Sequence, residues 1–595
     1  MPSLAEHTGA LDRRLTKHLL RRACFQYDKA LLDEMEGKTA SEILTLLTKP
    51  KSYVWEWPYD PITTNNQYGS NRLDGYWLND PDWTYSKYIN RNGQKRWIVA
   101  GWWWYNALKQ NTLIDKLTWF LFTTFTVAKD DGAGRAANYF DYLHLLQFYA
   151  DKSVKTLAQK ITYDNSMSLY LDNTDNKKQN PNENYAREFL ELFTIGKGPQ
   201  VAEGDYTNYT EYDVVQAARV FSGVSAYRER NFHDTDTVKS PHYPNGIPKG
   251  RPVPRFHDTK DKTFSYAFDY KTIKGASTSN AIESEIDDFV NMVFDKIETA
   301  KNYVRKMYRM FVRSEWGNDV ENDVITPLAE QLQSNGYNLL DVLKTLLSSK
   351  HFFDLDDDNT TNEIVGGIVK NPLQYINELI TIFGIRIPNA AATPPVLGQK
   401  LNNDVEYYNF YRFWINFCHN TYFPLSGMGR FFNPDTVAGY PGDYQAPAYD
   451  RAWFNSNNVL ARYNTIFSFL GRTYNDNYGN GVNQIIGAQK RNNGSVTYQR
   501  IYTSFDVVDF MAKTISDPFS AEKVVTELAE LLYCEAIHAD RTNYFKTFLV
   551  PSGEPDYYWR DAWDNYLTTG NATQVKLRLE ELVAKMINAA EFQLM

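Results

Sequence analysis

At 595 residues, 43% hydrophobic and 23% charged, the chain has room for three or four domains, or for one large helical body with appendages. A net charge of −9 argues against the basic face that non-specific nucleic-acid binding needs. No run approaches the roughly 18 apolar residues of a membrane-spanning helix, so no membrane span is expected.

Aromatic residues are the anomaly. The 42 Tyr, 34 Phe and 14 Trp make up 15% of the chain, enough for sugar-stacking surfaces or for a large mixed core. Cys24, Cys418 and Cys534 are too scattered for a disulfide framework or a cysteine-based zinc site, and leave the compartment open. Residues 1–16 carry Glu6, Asp12, Arg13 and Arg14 with no apolar stretch, so no secretory signal is read. A cytoplasmic location is the default, with export to the cell envelope left open.

In chain order, 15–24 reads as a basic amphipathic helix and 29–47 as two short helices broken at Gly37. His18, one turn before Arg21 and Arg22, reads as a structural histidine. The stretch 53–105 holds eight of the 14 tryptophans, among them Trp55, Trp57, Trp77 and Trp83, interleaved with Pro, Asn, Asp and Gly. It reads as a Trp-rich loop insertion, either displayed for glycan stacking or pinned onto a helical core. Helices are expected at 114–126, 140–150 and 152–161, followed by the stretch 167–173 and a polar loop.

The segment 180–194 combines helix punctuation with dense charge. Asn180 or Asn182 can cap it, Pro181 suits its first turn, and Gly196 and Gly198 supply the stop. Glu183, Asn184, Arg187, Glu188 and Glu191 fill one arc of this helix, and Tyr185, Phe189, Leu190 and Phe193 the other. The Glu183–Arg187–Glu191 ladder stabilises by only a few tenths of a kcal/mol per pair if exposed. A capping box at Thr210 and Asp213 opens the next helix, 212–221.

Residues 222–280, rich in Pro and carrying His233, His242 and His257, read as a long loop or small β excursion. There His257 with Asp258 is the most chemical pair. Helices resume over 282–312, 324–347 and 364–383. An acidic run at 354–359 lacks the glycine and glutamate of an EF-hand. The stretch 388–446 is loop-rich, and helices at 451–462, 505–514, 521–537 and 574–590 follow. Cys534 and His538 share one helical face, a weak metal signal without a third partner.

Together these readings give a mainly α protein: a large multi-helix body with long aromatic-rich loops and a small β excursion around 222–280. Its expected organisation is a helical core (1–385) with the Trp-rich insertion and the His/Pro-rich excursion, a loop-rich segment (386–470), and a C-terminal helical part (471–595) packed on the core.

Several short stretches also form a recognisable series. They are His18-Leu-Leu-Arg-Arg-Ala23, Tyr170-Leu-Asp-Asn173, Asn182-Glu-Asn-Tyr-Ala-Arg-Glu188 with Glu191-Leu-Phe-Thr194, and Phe256-His-Asp258. Asn433-Pro-Asp-Thr-Val-Ala-Gly439, Trp453 with Asn455, and Glu591-Phe-Gln-Leu594 complete it. In this order they resemble the bacterial family known as domain of unknown function 1800, in its Bacteroidetes-type branch, over nearly the whole chain. The resemblance carries no established activity. It does imply a partner, the product of a neighbouring gene with a sulfatase-like or phosphatase-like fold. Relatives carry a His-x-His pattern within an aromatic helix, which here is Phe120-Leu-Phe-Thr-Thr-Phe125, so that Phe122 and Thr124 stand at the histidine positions.

Two functional expectations follow. The first is a binding or assembly protein of the cell envelope that contacts a polysaccharide or partner protein. Its binding residues would be Trp55, Trp57, Trp77, Trp83, Asn182, Asn184 and Trp453. The second is a metal-assisted hydrolase-like enzyme, degenerate in its histidine pair, drawing on Glu183, Arg187, Glu188, His257 and Asp258. Asp172, Glu183 and His257 are then the candidate metal ligands. No clear cofactor motif is present.

Overall fold

The computed structural model describes residues 2–49, 58, 92–227, 229–238, 243–357, 363–390, 410–411, 413–470 and 505–595, and the backbone of 485–492 and 495–501. The chain is mainly α-helical, and its described strands form short antiparallel pairs. One contiguous hydrophobic cluster runs from Leu11 to Phe592 and joins the N-terminal helices to the C-terminal ones.

The Arg13–Ala23 helix is the hub of this body and is buried from Leu15 onward. It reaches distant segments through cationic side chains that donate to main-chain carbonyls. Arg21 donates to Leu532 O (2.5 Å) and to Cys534 Sγ (3.1 Å). Arg22 donates to Ile364 O (2.8 Å) and Met595 O (2.6 Å). Glu378, itself buried, offsets Arg21 at 3.5 Å and Lys370 at 2.7 Å. His18 stacks on Phe352 with ring centroids 4.4 Å apart, and burial holds its ring well below the usual histidine range. The Gln593 carbonyl accepts from Lys370 N (2.8 Å), while its side chain meets Arg462 (3.2 Å). Two of the resemblance stretches, at either end of the chain, thus form one clamp.

Local patterning explains most elements. Gly37, at φ 82°, divides the Lys29–Met35 and Ala40–Leu47 helices. The Thr210–Asp213 capping box opens Glu211–Phe221. The β excursion consists of the pairs Val224–Ser225 with Arg251–Pro252, His233–Asp234 with Ile247–Pro248, and Lys262–Thr263 with Thr272–Ile273. The expected 324–347 helix is two, Thr326–Ser334 and Leu339–Leu347, because Gly336 and Tyr337 take positive φ.

The Trp-rich region needs a correction. Its second part is a helix, Asn92–Gln110, in which Trp102, Trp103 and Trp104 are buried. Trp104 Nε1 donates to Asn377 Oδ1 at 2.9 Å, as a core anchor does. The stretch expected to be loop at 388–446 contains a wide helical segment, Trp414–Tyr422, and the C-terminal part adds the unforeseen helices Ala539–Lys546 and Tyr557–Thr569.

Candidate functional site

The charged central segment folds in two parts. Asn182 Oδ1 accepts from Asn184 N at 2.9 Å and opens a short α-helix, Asn184–Glu188. The helix then widens into a π turn, Phe189–Phe193. The π geometry leaves carbonyls without intrahelical partners, and the neighbouring Ile297–Phe311 helix supplies them. Asn302 donates to Thr194 O (2.6 Å), Tyr303 to Phe193 O (2.5 Å), and the Lys306 ammonium to Leu192 O.

Lys306 and Leu192 then form part of the wall of a partly enclosed cavity of about 100 Å³. The last turn of the Leu113–Thr124 helix contributes Phe120, Thr123 and Thr124. Arg309 and Met310 come from the Lys306 helix, and Ile368, Val369 and Asn371 from the segment leading into Pro372–Ile382. Ala438, Gly442, Asp443, Tyr444, Asp450 and Trp453 close the far side, with Met595 beside them. Trp453 lies against Gly442 so closely that a Cβ there would sit 2.1 Å from its ring.

The polar groups of this wall differ sharply in how they are satisfied. Both oxygens of Asp450 are occupied, by the Ser314 hydroxyl and by Val369 N (2.7 Å). Asp443 Oδ2 is sealed from solvent with no hydrogen-bond partner among the described residues, and burial pushes its carboxyl up to about 7. Burial, reinforced by Arg309, pushes the Lys306 ammonium down to about 7. The Arg309 guanidinium packs 4.6 Å over Tyr449 and 5.3 Å over Trp316, and its Nε is buried with no hydrogen-bond partner among the described residues. An acid and a base that both change charge near neutrality, beside a fixed cation, can bind an anion or exchange a proton with a bound group.

The residues singled out from the sequence lie in three places. Arg187 grips Glu211 with both terminal nitrogens, one at 2.7 Å, and reaches Glu183 at 3.2 Å. All three side chains are between one third and one half exposed, so this is a surface network rather than a buried polar centre. Glu188 stands apart from it. Burial, then Glu191, pushes its carboxyl up to about 7. Asn184 Nδ2 reaches Leu171 O at 3.4 Å, and Asp172 is exposed in a left-handed turn.

His257 is fully buried elsewhere, its Nδ1 at 2.7 Å from Ser222 O and its Nε2 at 3.0 Å from Glu285, which also pairs with Lys262 at 2.5 Å. Asp258 turns the other way, to Arg219 at 2.8 Å, and that guanidinium holds its carboxyl below the usual range against the effect of burial. Asp172, Glu183 and His257 therefore share no contact, and no metal-binding cluster of three or more His, Cys, Asp or Glu occurs among the described residues. Trp453 lines the cavity, whereas Trp55, Trp57, Trp77, Trp83 and His242 lie outside the described residues.

Phe122 packs edge-on against Phe432 at 4.6 Å, and Thr124 lines the cavity with its hydroxyl donated to Phe120 O at 3.0 Å. Lys306, Arg309, Asp443 and Asp450 are invisible to motif reading. The one available signal is the amphipathic pattern of 300–312, which places Lys306 and Arg309 on a helix without showing what they face.

Comparison with curated proteins and with solved structures finds no match. Among protein families, the model of DUF1800, described as a protein of unknown function, matches residues 18–594, and the chain belongs to that family.

Proposed function

We propose that the chain is a ligand-binding protein and that the cavity between Thr124, Lys306, Asp443 and Trp453 is its binding site. The observation that carries this reading is convergence. Leu192 of the Glu191-Leu-Phe-Thr194 stretch, Ala438 of the Asn433–Gly439 stretch, Trp453, and Thr124 at a histidine position of relatives all line one small space. The other resemblance stretches serve the clamp, the polar turn before the central helix and the buried His257 network, where their contacts are structural. A cavity with apolar walls and a few unpaired polar groups is the usual form of a small-molecule site. Binding is favoured over the hydrolytic alternative because the residues named for hydrolysis, Glu183, Arg187, Glu188, His257 and Asp258, are spread over separate places and none of them lines the cavity.

Ligand-observed NMR with a library of small polar fragments tests this reading. Fragments are expected to bind the wild-type chain and to lose binding in Thr124→Phe, which fills the space without removing a charge. Fragments that bind both proteins equally, or neither, would overturn it.

A further inference from the structure

Away from the cavity, three cations crowd one carboxylate. Asp130 lies in the turn 129–132, a few residues after the Leu113–Thr124 helix. Lys129 Nζ stands 2.9 Å from its Oδ2, Arg430 Nη1 3.7 Å from the same oxygen, and Arg96 Nε 3.7 Å from its Oδ1. Of the three, only Lys129 is close enough to hydrogen-bond. Oδ1 accepts from Trp97 Nε1 at 3.2 Å, so neither oxygen depends on an arginine. Lys129 is fully buried and matches the carboxylate from the protein side.

The two guanidiniums are left over. Each keeps its charge in a folded protein and carries five N–H donors. Arg96 spends Nη1 on Gly134 O (2.7 Å), and its Nε is sealed with no hydrogen-bond partner among the described residues, which leaves Nη2. The Arg430 side chain is 60% exposed and makes no hydrogen bond among the described residues. Its backbone is nevertheless fixed. The Arg430 carbonyl accepts from Asn433 N (2.8 Å) and from the Tyr440 hydroxyl (2.9 Å), and Asn433 Oδ1 accepts from Asp130 N (2.6 Å). The other titratable neighbours do not answer the arginines. Asp131 is exposed, accepts from Asn433 Nδ2 at 2.8 Å, and forms no ion pair with either arginine among the described residues. His419 is buried with its ring 4.6 Å from that of Trp97, and burial pushes it down to about 3.

We propose that Arg96 and Arg430 together hold a doubly charged tetrahedral oxyanion group, phosphate or sulfate, at the surface beside Asp130. Guanidinium forks match the oxygens of such groups in geometry as well as charge. Both arginines approach oxygens of the same carboxylate, which keeps their donors close enough for one group to meet both. Two unanswered cations also suit a dianion better than a carboxylate. The chain as a whole carries −9, so the attraction is local to this turn rather than that of a general basic face.

Isothermal titration calorimetry with sodium phosphate and, separately, sodium sulfate tests the proposal at pH 7.5 and low ionic strength, where screening is weak. Expected is saturable one-site binding of at least one of the two anions, and the two arms identify which. Affinity should fall roughly tenfold or more in Arg430→Gln and in Arg96→Gln, and sodium acetate should bind more weakly. Thr124→Phe, which fills the cavity, should leave anion binding unchanged. Arg430→Gln breaks no hydrogen bond of the fold, so it reads the site even if Arg96→Gln fails to fold. No saturable binding of either anion, binding unchanged in Arg430→Gln, or acetate bound as tightly would overturn the proposal. Binding lost in Thr124→Phe and kept in Arg430→Gln would put the anion in the cavity and overturn it as well.

Discussion

Glu378 lies fully buried between Arg21 and Lys370, where burial works to raise its carboxyl and the two cations outweigh it and hold it below the usual range. Glu378→Gln removes the carboxylate and strands the cations, so a loss of about 3 kcal/mol is expected in urea unfolding. Because the folded value is depressed, this stabilisation is present above the unfolded carboxylate pKa and is lost as the pH falls through the folded value. Arg187→Ala is the contrasting case. Its partners Glu183 and Glu211 are 40% and 45% exposed, and the expected loss is below about 1 kcal/mol in the same measurement. In the sequence Arg187 looks the more important of these residues, because charge density is legible there and burial is not. Arg21 and Arg22 show the reverse: a helix pattern that reads as basic and amphipathic carries two arginines with no exposed surface, satisfied by carbonyls far along the chain.

At the scale of elements, capping chemistry and the 3.6-residue period are strong local signals. Thr210 illustrates this: its hydroxyl and the Asp213 carboxylate cap each other's backbone N–H groups, as the spacing of the two residues foretells. Thr210→Ala is expected to cost about 1 kcal/mol, read by thermal unfolding. The Asn92–Gln110 helix escapes such reading for a physical reason. Its residues from Ile98 to Tyr105 are buried on all sides, so no polar stripe reveals the helical period. The π turn at Phe189–Phe193 is equally silent in sequence, since its carbonyls are satisfied by Asn302, Tyr303 and Lys306 more than a hundred residues away. That turn is also how the charged central segment bears on the candidate site. Its exposed charges point elsewhere, but its widened last turn holds Lys306 at the cavity wall.

Across the whole molecule, buried lysines set an unusual pH dependence. Burial pushes Lys17, Lys116 and Lys306 down to about 7, and Lys129 and Lys370 down to about 8. Between those values and the unfolded lysine pKa near about 10.4, the unfolded chain binds more protons than the folded one, so stability rises with pH. Asp164, raised by burial to about 8, and Asp443 and Glu188, each raised to about 7, work the other way but have titrated by about pH 8.5. The buried Cys418 thiol and buried tyrosines such as Tyr139, Tyr142 and Tyr303, all raised by burial, oppose the lysines, but an unfolded phenol with a pKa near about 10 is still mostly protonated at pH 9.5. Calorimetric melting is therefore expected at higher temperature at pH 9.5 than at pH 8.5. The mainly α architecture and the family are legible in the sequence. The cavity is not, because its walls come from six separated segments, and no local pattern brings Thr124, Leu192, Lys306, Val369, Trp453 and Met595 together. The most direct test of its role is a crystal structure of the protein soaked with a fragment that binds in solution. The expected result is ligand density inside the cavity beside Thr124 and Lys306, with the Trp453 ring as one wall. An empty or water-filled cavity, with the ligand ordered at another site, would contradict it.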